Sequence, residues 1–425
     1  MFALAACCAL PRAAFAQDAV VEGPGIALGE GAVFHPSVTL ESGYVSNVFY
    51  TDEDPVGSAV IRLIGAFSLA SQTHELASEI TPGVENEEQP VEEPPPPAMV
   101  DFRLGGQVVL NAYPSDNEAV RDQTDVGVAL DGSIIFNPHG DVAGQIDDTF
   151  LRDTRPHNFE STGNLNRDYN HALASLTFQP QGRTISVGAR YENTIDRFES
   201  NESDFANRLQ HTFGLRGDWR LFPYTKLFLD ASLGYFTQLE SNAMAYKPDS
   251  TPLRIQGGVG TALTEVTTIR AYIGYANGFY DSGTNFQNAI GGAEFGYRYA
   301  EYGRLVLTAD YNFHDSLQAN FFRDYSLLAK LDQQFGLVVL GVDAGLRLRG
   351  YRGIPTGTLM GPDERDDVIF NTSLQVAYLL RDWFAITARG TAIIDATDYE
   401  YMTGAQTVSP AYNRLEAFLG LTAAF

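Results

Sequence analysis

Cysteine is nearly absent from this 425-residue chain, since its two cysteines, Cys7 and Cys8, both lie among the first ten residues. The seven histidines are scattered, and no two of them are four residues apart. Protein zinc sites are usually built from closely spaced cysteine and histidine ligands. We therefore predict no metal site and no cofactor for this protein.

Basic residues are also scarce: 28 Lys and Arg stand against 53 Asp and Glu, which gives a net charge of −25. Nucleic acids and anionic lipid surfaces are polyanions, so this excess of acid argues against both as partners. Long apolar runs are missing as well. No stretch of about 18 consecutive apolar residues is present, so the sequence predicts no transmembrane helix.

The first twenty residues, MFALAACCALPRAAFAQDAV, form an apolar stretch that ends in Ala14-Phe15-Ala16. This small-x-small pattern is typical of a signal peptidase site, and we expect a signal peptide over residues 1–16, followed by a periplasmic N-terminal segment over 17–35. The basic start of a signal peptide is missing, so the start codon is expected upstream. A lipoprotein motif at Leu4-Ala5-Ala6-Cys7 is the alternative. Export from a bacterial cytoplasm follows from either interpretation.

An alternation of apolar and polar residues dominates the rest of the chain. In residues 303–314, GRLVLTADYNFH, an apolar residue occupies every second position from Leu305 to Phe313. Residues 415–425, LEAFLGLTAAF, repeat the pattern. Successive side chains of a strand point to opposite sides, so these segments predict strands with one apolar face.

About eighteen such segments are present, each near or above the roughly 9 to 11 residues that a tilted strand needs to cross a bilayer. Their predicted cores are 36–49, 57–71, 99–112, 123–136, 142–153, 170–180, 184–195, 208–221, 224–237, 252–263, 266–279, 287–299, 303–314, 323–335, 338–349, 368–379, 383–395 and 412–425.

The connections between the segments alternate in length, for example the short 222–223 and 264–265 against the long polar 155–169 and 239–250. A soluble β-sandwich has no reason to place short turns at one end and long loops at the other, whereas a bacterial outer-membrane barrel does. We therefore predict an all-β fold, a transmembrane antiparallel β-barrel of about eighteen strands over residues 36–425, with sixteen strands as the alternative. Its location would be the bacterial outer membrane, with both chain ends on the periplasmic side.

One connection breaks the alternation. Residues 72–98, QTHELASEITPGVENEEQPVEEPPPPA, lie where a short turn is expected. Consecutive prolines favour extended backbone without ladder hydrogen bonds, and the glutamates repel one another. We predict a disordered acidic, Pro-rich insert on the periplasmic side, and a solvated spacer is favoured over a docking site for a partner.

Residues 36–54, PSVTLESGYVSNVFYTDED, resemble the opening strand and first loop of a family of outer-membrane β-barrel porins often associated with exopolysaccharide gene clusters. The resemblance rests on Gly43-Tyr44 and on Ser46-Asn47-Val48-Phe49, followed by a polar loop. It implies a conduit in the outer membrane, and a periplasmic polysaccharide export protein is a candidate partner.

The end of the sequence resembles the outer-membrane assembly signal, with Leu419, Leu421 and Phe425 in register. Ala423 departs from that signal, which prefers an aromatic residue there. The resemblance implies insertion by the outer-membrane assembly machinery, with outer-membrane lipid and lipopolysaccharide as the surroundings of the barrel.

Candidate catalytic residues are few. His314, Asp315 and Ser316 are consecutive, and adjacent residues of a strand rarely face one another, so they do not constitute a catalytic triad. No glycine-rich phosphate loop opens a helix. We predict no catalytic residues and no enzyme activity.

Charged residues recur on the polar faces of the predicted strands. A dry core would have to pair every charge at a high desolvation cost, whereas the water-filled bore of a wide barrel keeps them hydrated. These residues form a structural salt-bridge ladder, set solute selectivity, or do both. The predicted lumen-lining residues are Arg190, Arg216, Arg220, Lys226, Asp230, Arg270, Arg304, Asp310, Lys330, Asp343, Arg347, Arg349 and Arg389.

Two classes of function fit this sequence. The first is a porin-like conduit, for polysaccharide export or for passage of hydrophilic solutes, with export favoured by the resemblance alone. The second is a barrel enzyme or surface adhesin that acts through its extracellular loops. Aromatic residues such as Phe228 and Tyr272 among the polar groups suit sugar rings, although aromatics also fill space. We predict the conduit.

Overall fold

A computed structural model gives the fold and describes residues 23–29, 31–71, 99–153, 166–180, 184–199, 206–239, 248–317, 319–354, 362–403 and 406–425. The predicted signal peptide and the predicted insert at 72–98 lie outside the described residues. None of the described helical segments has the length and apolar character needed to cross a membrane.

Almost all of the regular structure in the described residues is β-strand, and a short helix, α1 (Glu118–Arg121), follows the fourth strand. In chain order the strands are β1 (Ile26–Leu28), β2 (Ala32–Val45), β3 (Ser58–Ser71), β4 (Val100–Ala112), β5 (Asp125–Phe136), β6 (Val142–Asp153), β7 (Arg167–Phe178), β8 (Ile185–Phe198), β9 (Arg208–Phe222), β10 (Thr225–Gln238), β11 (Leu253–Thr264), β12 (Thr267–Asn277), β13 (Gln287–Ala300), β14 (Gly303–Asp315), β15 (Phe321–Phe335), β16 (Val338–Arg352), β17 (Glu364–Arg381), β18 (Phe384–Thr397), β19 (Tyr401–Thr403), β20 (Gln406–Val408) and β21 (Tyr412–Ala424).

Eighteen of these strands, β2 to β18 and β21, form one closed antiparallel barrel. Each barrel strand pairs with the barrel strand before it and the one after it, and β21 pairs with β2 to close the ring. At this seam Ser37 lies opposite Ala424, and Val45 lies opposite Glu416. The predicted eighteen-strand barrel is confirmed.

The predicted strand cores agree with the observed strands to within four residues at either end. The largest differences are at β2, which begins at Ala32 rather than 36, and at β17, which begins at Glu364 rather than 368. These strands extend beyond the apolar part of the membrane, and the alternation of apolar and polar residues that marks them in the sequence stops there. The short β1, the β19–β20 hairpin and α1 carry too few residues to show a period, and the sequence did not predict them.

The alternation in the sequence becomes two different faces of the barrel wall. On β21, Leu415 and Leu419 are 62% and 67% exposed, whereas Arg414 and Phe418, which lie on the other face of the strand, are both 4% exposed. Exposed apolar side chains occupy the same outward positions on every barrel strand, for example Leu40 on β2 and Leu229 on β10. A closed barrel leaves no unpaired strand edge, and this apolar belt is compatible only with lipid. The protein is therefore a bacterial outer-membrane barrel.

Close packing at the seam explains one glycine of the Gly43-Tyr44 motif. A Cβ atom on Gly43 would collide with the carbonyl oxygen of Ala417 and with the ring of Phe418 on the neighbouring strand β21. Only glycine lets the two strands approach here while the Phe418 ring stays on the inner side.

Candidate functional site: the inner wall of the barrel

The inner wall consists of the side chains that alternate with the exposed apolar belt. Contacts between strands that are not neighbours identify it, because side chains of such strands meet most readily on the concave side. Arg190 on β8 and Asp230 on β10 are two strands apart, and the Arg190 guanidinium donates to both carboxylate oxygens of Asp230, at 2.6 and 3.1 Å. Polar residues at every second position of the strands therefore face one enclosed space.

A first group of charges lies on β8, β9 and β10. Arg190 also donates to Glu192 at 2.8 Å. Arg216 donates to both carboxylate oxygens of Asp218 at 3.0 Å and lies 3.9 Å from Asp230. Each carboxylate in this group has a guanidinium beside it, so these predicted lumen residues hold one another in place.

Aromatic and basic residues continue this group towards β12. The Arg216 guanidinium lies 4.5 Å from the ring centre of Phe228, and the Arg270 guanidinium lies 5.9 Å from it. Lys226 lies 3.7 Å from Asp218, and about half of its side chain is exposed. Stacking on an aromatic face restricts an arginine without neutralising its charge.

A second group spans the seam. Glu41 on β2 is 1% exposed and accepts hydrogen bonds at 3.1 Å from Arg62 on β3 and from Arg389 on β18. To reach Arg389, the Glu41 side chain crosses β21 above Gly420, where a Cβ atom would lie 3.0 Å from Glu41 Cγ. The guanidiniums of Arg62 and Arg389 lie 4.2 and 5.5 Å from the ring centre of Phe418.

A third group lies on β15, β16 and β17. Arg349 donates to both carboxylate oxygens of Asp324, at 2.8 and 2.7 Å, and its guanidinium lies 3.8 Å from the ring centre of Phe322. Arg347 donates to the Asn371 side chain at 3.3 Å. The Asp343 carboxylate accepts a hydrogen bond from Ser373 at 3.0 Å.

The other predicted lumen residues are not drawn into these groups. Asp310 accepts a hydrogen bond from the Tyr272 hydroxyl, and Lys330 lies 3.8 Å from Asp332 on the same strand. Within the described residues, no side-chain hydrogen bond or ion pair engages Arg220 or Arg304, and the Arg270 guanidinium lies near the Phe228 ring with no carboxylate in contact. Three basic side chains of the inner wall thus keep charges that no carboxylate of the described residues neutralises by direct contact.

Several well-connected residues were missed by the sequence reasoning, among them Glu41, Arg62, Asp196, Arg208 and Asp315. Glu41, Arg62, Asp196 and Arg208 occupy polar positions of alternating strands, which is the signal that could have found them. Asp315 follows Leu305 to Phe313 in the apolar register of β14, so alternation gives no signal for it. The partners could not be read from the sequence either, since Glu41 and Arg389 are 348 residues apart.

No arrangement typical of catalysis is present at His314. Its ring packs against Phe322 with the ring centres 5.2 Å apart, while the Asp315 carboxylate accepts from Arg208 and the Ser316 hydroxyl oxygen accepts from the Ala319 N–H. The three side chains engage different partners. Among the described residues, no group of three or more His, Cys, Asp and Glu side chains could hold a metal ion.

Comparison with known proteins gives structural similarity only. No protein-family model matches the sequence, and no curated protein is significantly similar to it. The structure of OccK2 (OpdF) from Pseudomonas aeruginosa in complex with glucuronate is 11% identical, with 92% of this chain and 98% of that chain covered and a TM-score of 0.46. OpdL from Pseudomonas aeruginosa is 12% identical, with coverage of 93% and 98% and a TM-score of 0.42. The siderophore receptor PirA from the same species is 9% identical, with coverage of 92% and 80% and a TM-score of 0.41. These values assign neither a family nor a solute to this chain.

Proposed function

We propose that the barrel is a passive conduit for hydrophilic solutes across the outer membrane. The observation that supports this function is the charged inner wall of an eighteen-strand ring. Barrels of roughly 16 to 18 strands leave an aqueous space. Charges such as those of Arg270 and Arg304 avoid a high desolvation free energy only when they stay in contact with water. The apolar belt makes outer-membrane lipid and lipopolysaccharide the expected surroundings, and the assembly machinery of that membrane the expected route of insertion.

The unneutralised arginines of the inner wall give this conduit a preference among ions. Arg220, Arg270 and Arg304 contact no carboxylate in the described part of the chain, so the field they create in the bore favours anions. The paired groups, such as Arg349 with Asp324, stiffen the wall and contribute less to the net field. In this proposal the lumen charges therefore divide between the two roles that the sequence left open.

Export of a polysaccharide is a second candidate, and it rests on the resemblance of residues 36–54 alone. If this candidate is correct, a periplasmic polysaccharide export protein is a partner. Small-solute passage takes precedence, because it requires only the charged inner wall, whereas export rests on one short resemblance.

Liposome swelling with the purified full-length protein tests the proposed function. Vesicles that contain the folded barrel should swell in an iso-osmotic monosaccharide solution at a rate proportional to the amount of protein. A deletion strain separates the two candidates, because loss of surface polysaccharide indicates export, and loss of small-solute uptake alone indicates general passage. A folded barrel that leaves vesicles impermeable would contradict both.

A further inference from the structure

The loop-side ends of β9 and β14 are joined directly by a salt bridge. Arg208, the first residue of β9, places Nη1 2.6 Å from Oδ2 of Asp315, the last residue of β14. The two strands are five positions apart in the ring, which corresponds to roughly 24 Å along the wall at about 4.8 Å per strand. Such a separation exceeds the combined reach of one arginine and one aspartate, so the mouth must be narrower here than a round barrel would be.

This salt bridge is the last link of a longer series that we name the ion-pair bar: Arg167, Asp196, Arg208 and Asp315. Arg167 on β7 donates to both carboxylate oxygens of Asp196 on β8, at 2.6 and 2.8 Å. Arg208 approaches the same carboxylate at 2.8 Å. Charges of alternating sign thus run from β7 to β14, and Asp196 at their centre is fully buried.

A second connection lies beside the ion-pair bar. Arg254 on β11 donates to the Asn312 side chain at 3.0 Å and to the Phe313 carbonyl at 2.6 Å, both on β14. Its guanidinium also lies 4.7 Å from the ring centre of Phe313. Two arginines from different strands therefore hold the end of β14 near β9 and β11.

The space enclosed by these connections is filled with packed side chains. Phe286, Phe313 and Phe321 form a buried cluster, and Tyr280 stacks on Phe321 with the ring centres 5.9 Å apart. Burial raises the pKa of the Tyr280 phenol well above its ordinary value, and the negative charge of Asp315 raises it further. The phenol therefore stays neutral at physiological pH and remains part of the packed cluster.

The segment that carries Tyr280, residues 278–286 between β12 and β13, is fixed to its neighbours. Asn320 Nδ2 donates to the carbonyl oxygens of Ser282 and Thr284 at 2.9 and 2.8 Å. Ser250 is bridged to Tyr280 and to Phe236. Backbone and side-chain hydrogen bonds thus hold this segment at the loop-side ends of the sector from β10 to β15.

We propose that the ion-pair bar and residues 278–286 form a fixed size filter at the loop-side mouth, which admits small hydrophilic molecules and excludes longer saccharide chains. The inference rests on the proposed conduit function and specifies its solutes by size. The alternative is that these contacts only brace the wall and leave the limiting cross-section elsewhere.

Swelling assays with neutral saccharides from one to four sugar units measure the size limit, and single-channel conductance measures the narrowest cross-section. The first variant, Arg208→Gln with Asp315→Asn, removes the charges that join β9 to β14. The second, Tyr280→Ala with Asn320→Ala, releases residues 278–286 without a change of charge. The matched control is Arg152→Gln with Glu199→Gln, which removes a 2.5 Å ion pair between partly exposed side chains at the same end of the barrel.

Either test variant should admit saccharides at least one unit longer than the wild type admits, with conductance raised roughly 1.5- to 2-fold, while the control leaves both quantities unchanged. The second variant keeps the test valid if the first does not fold. Folded test variants with an unaltered size limit would show that the contacts are a brace, and would overturn the filter alone. A wild-type barrel that passes neither ions nor sugars would overturn the conduit function together with the filter.

Discussion

At the scale of single residues, the inner wall is ordered by arginines that engage both a carboxylate and an aromatic face. Arg349 contacts Asp324 and Phe322 in this way, and Arg62 contacts Glu41 and Phe418. The carboxylate fixes the direction of the planar guanidinium, and the ring covers one of its faces. These side chains of the inner wall lack the freedom of an exposed arginine.

Glu41 offers the sharpest test at this scale, because one buried carboxylate serves two arginines across the seam. Glu41→Gln keeps the shape but removes the buried negative charge that Arg62 and Arg389 share. We expect a loss of about 3 kcal/mol of stability, measured as a lower temperature at which the folded barrel loses its characteristic gel mobility.

Glu199→Gln is the control for this measurement, because the partly exposed Arg152–Glu199 pair should contribute no more than about 1 kcal/mol. Equal losses of stability from the two substitutions would show that Glu41 and its two arginines are as hydrated as the Arg152–Glu199 pair.

At the scale of strands, the alternation of apolar and polar residues in the sequence predicts where the strands lie. Lipid on one side of the wall and water on the other impose this alternation on every barrel strand. The barrel strands from β2 to β21 could therefore be located, and the inward or outward direction of residues such as Leu229 and Asp230 follows from the same pattern. The ends of β2 and β17 could not be located from the sequence, since strands that project beyond the lipid lose the apolar face that marks them.

The seam supplies a prediction for this scale. Gly43→Val should prevent normal pairing of β2 with β21, because the new side chain would collide with the Ala417 carbonyl and the Phe418 ring. Gly65→Val on β3 is the matched control, since a Cβ atom there meets nothing within 4 Å. The amount of membrane-inserted, heat-modifiable protein should fall several-fold for the first variant and stay unchanged for the second. Comparable insertion of both would refute the close approach at the seam.

At the scale of the whole molecule, ring order decides which distant residues meet. Arg208 and Asp315 are 107 residues apart in the chain, and nothing in their surrounding sequence indicates that they touch. Alternation places Arg208 on the inner wall, but it groups Asp315 with the apolar residues Leu305 to Phe313 of β14, so it does not predict their contact. Pairing between strands that are not neighbours depends on the cross-section of the closed barrel. Alternation thus suggests candidate lumen residues one at a time, whereas the mouth and its ion-pair bar required the structure.

The orientation of the barrel is also a property of the whole molecule. Asp116 lies in the connection between β4 and β5, and His139 lies in the short turn between β5 and β6, at the opposite end of the barrel. A cysteine at Asp116 should react with an impermeant thiol reagent on intact cells, and a cysteine at His139 should react only after the outer membrane is permeabilised. The reverse pattern would invert the proposed orientation.

Conductance of the folded protein in a planar lipid bilayer tests most directly whether the charged inner wall encloses a water-filled path. The wild type should insert in discrete conductance steps, and Arg270→Glu with Arg304→Glu should shift the reversal potential in a salt gradient towards cation preference. Arg197→Glu, a single charge reversal at an exposed position on the outer side of β8, should have little effect on that potential. A heat-modifiable, correctly folded barrel that inserts without conductance would contradict the conduit, and conductance with the same reversal potential in all variants would contradict the role of the inner arginines.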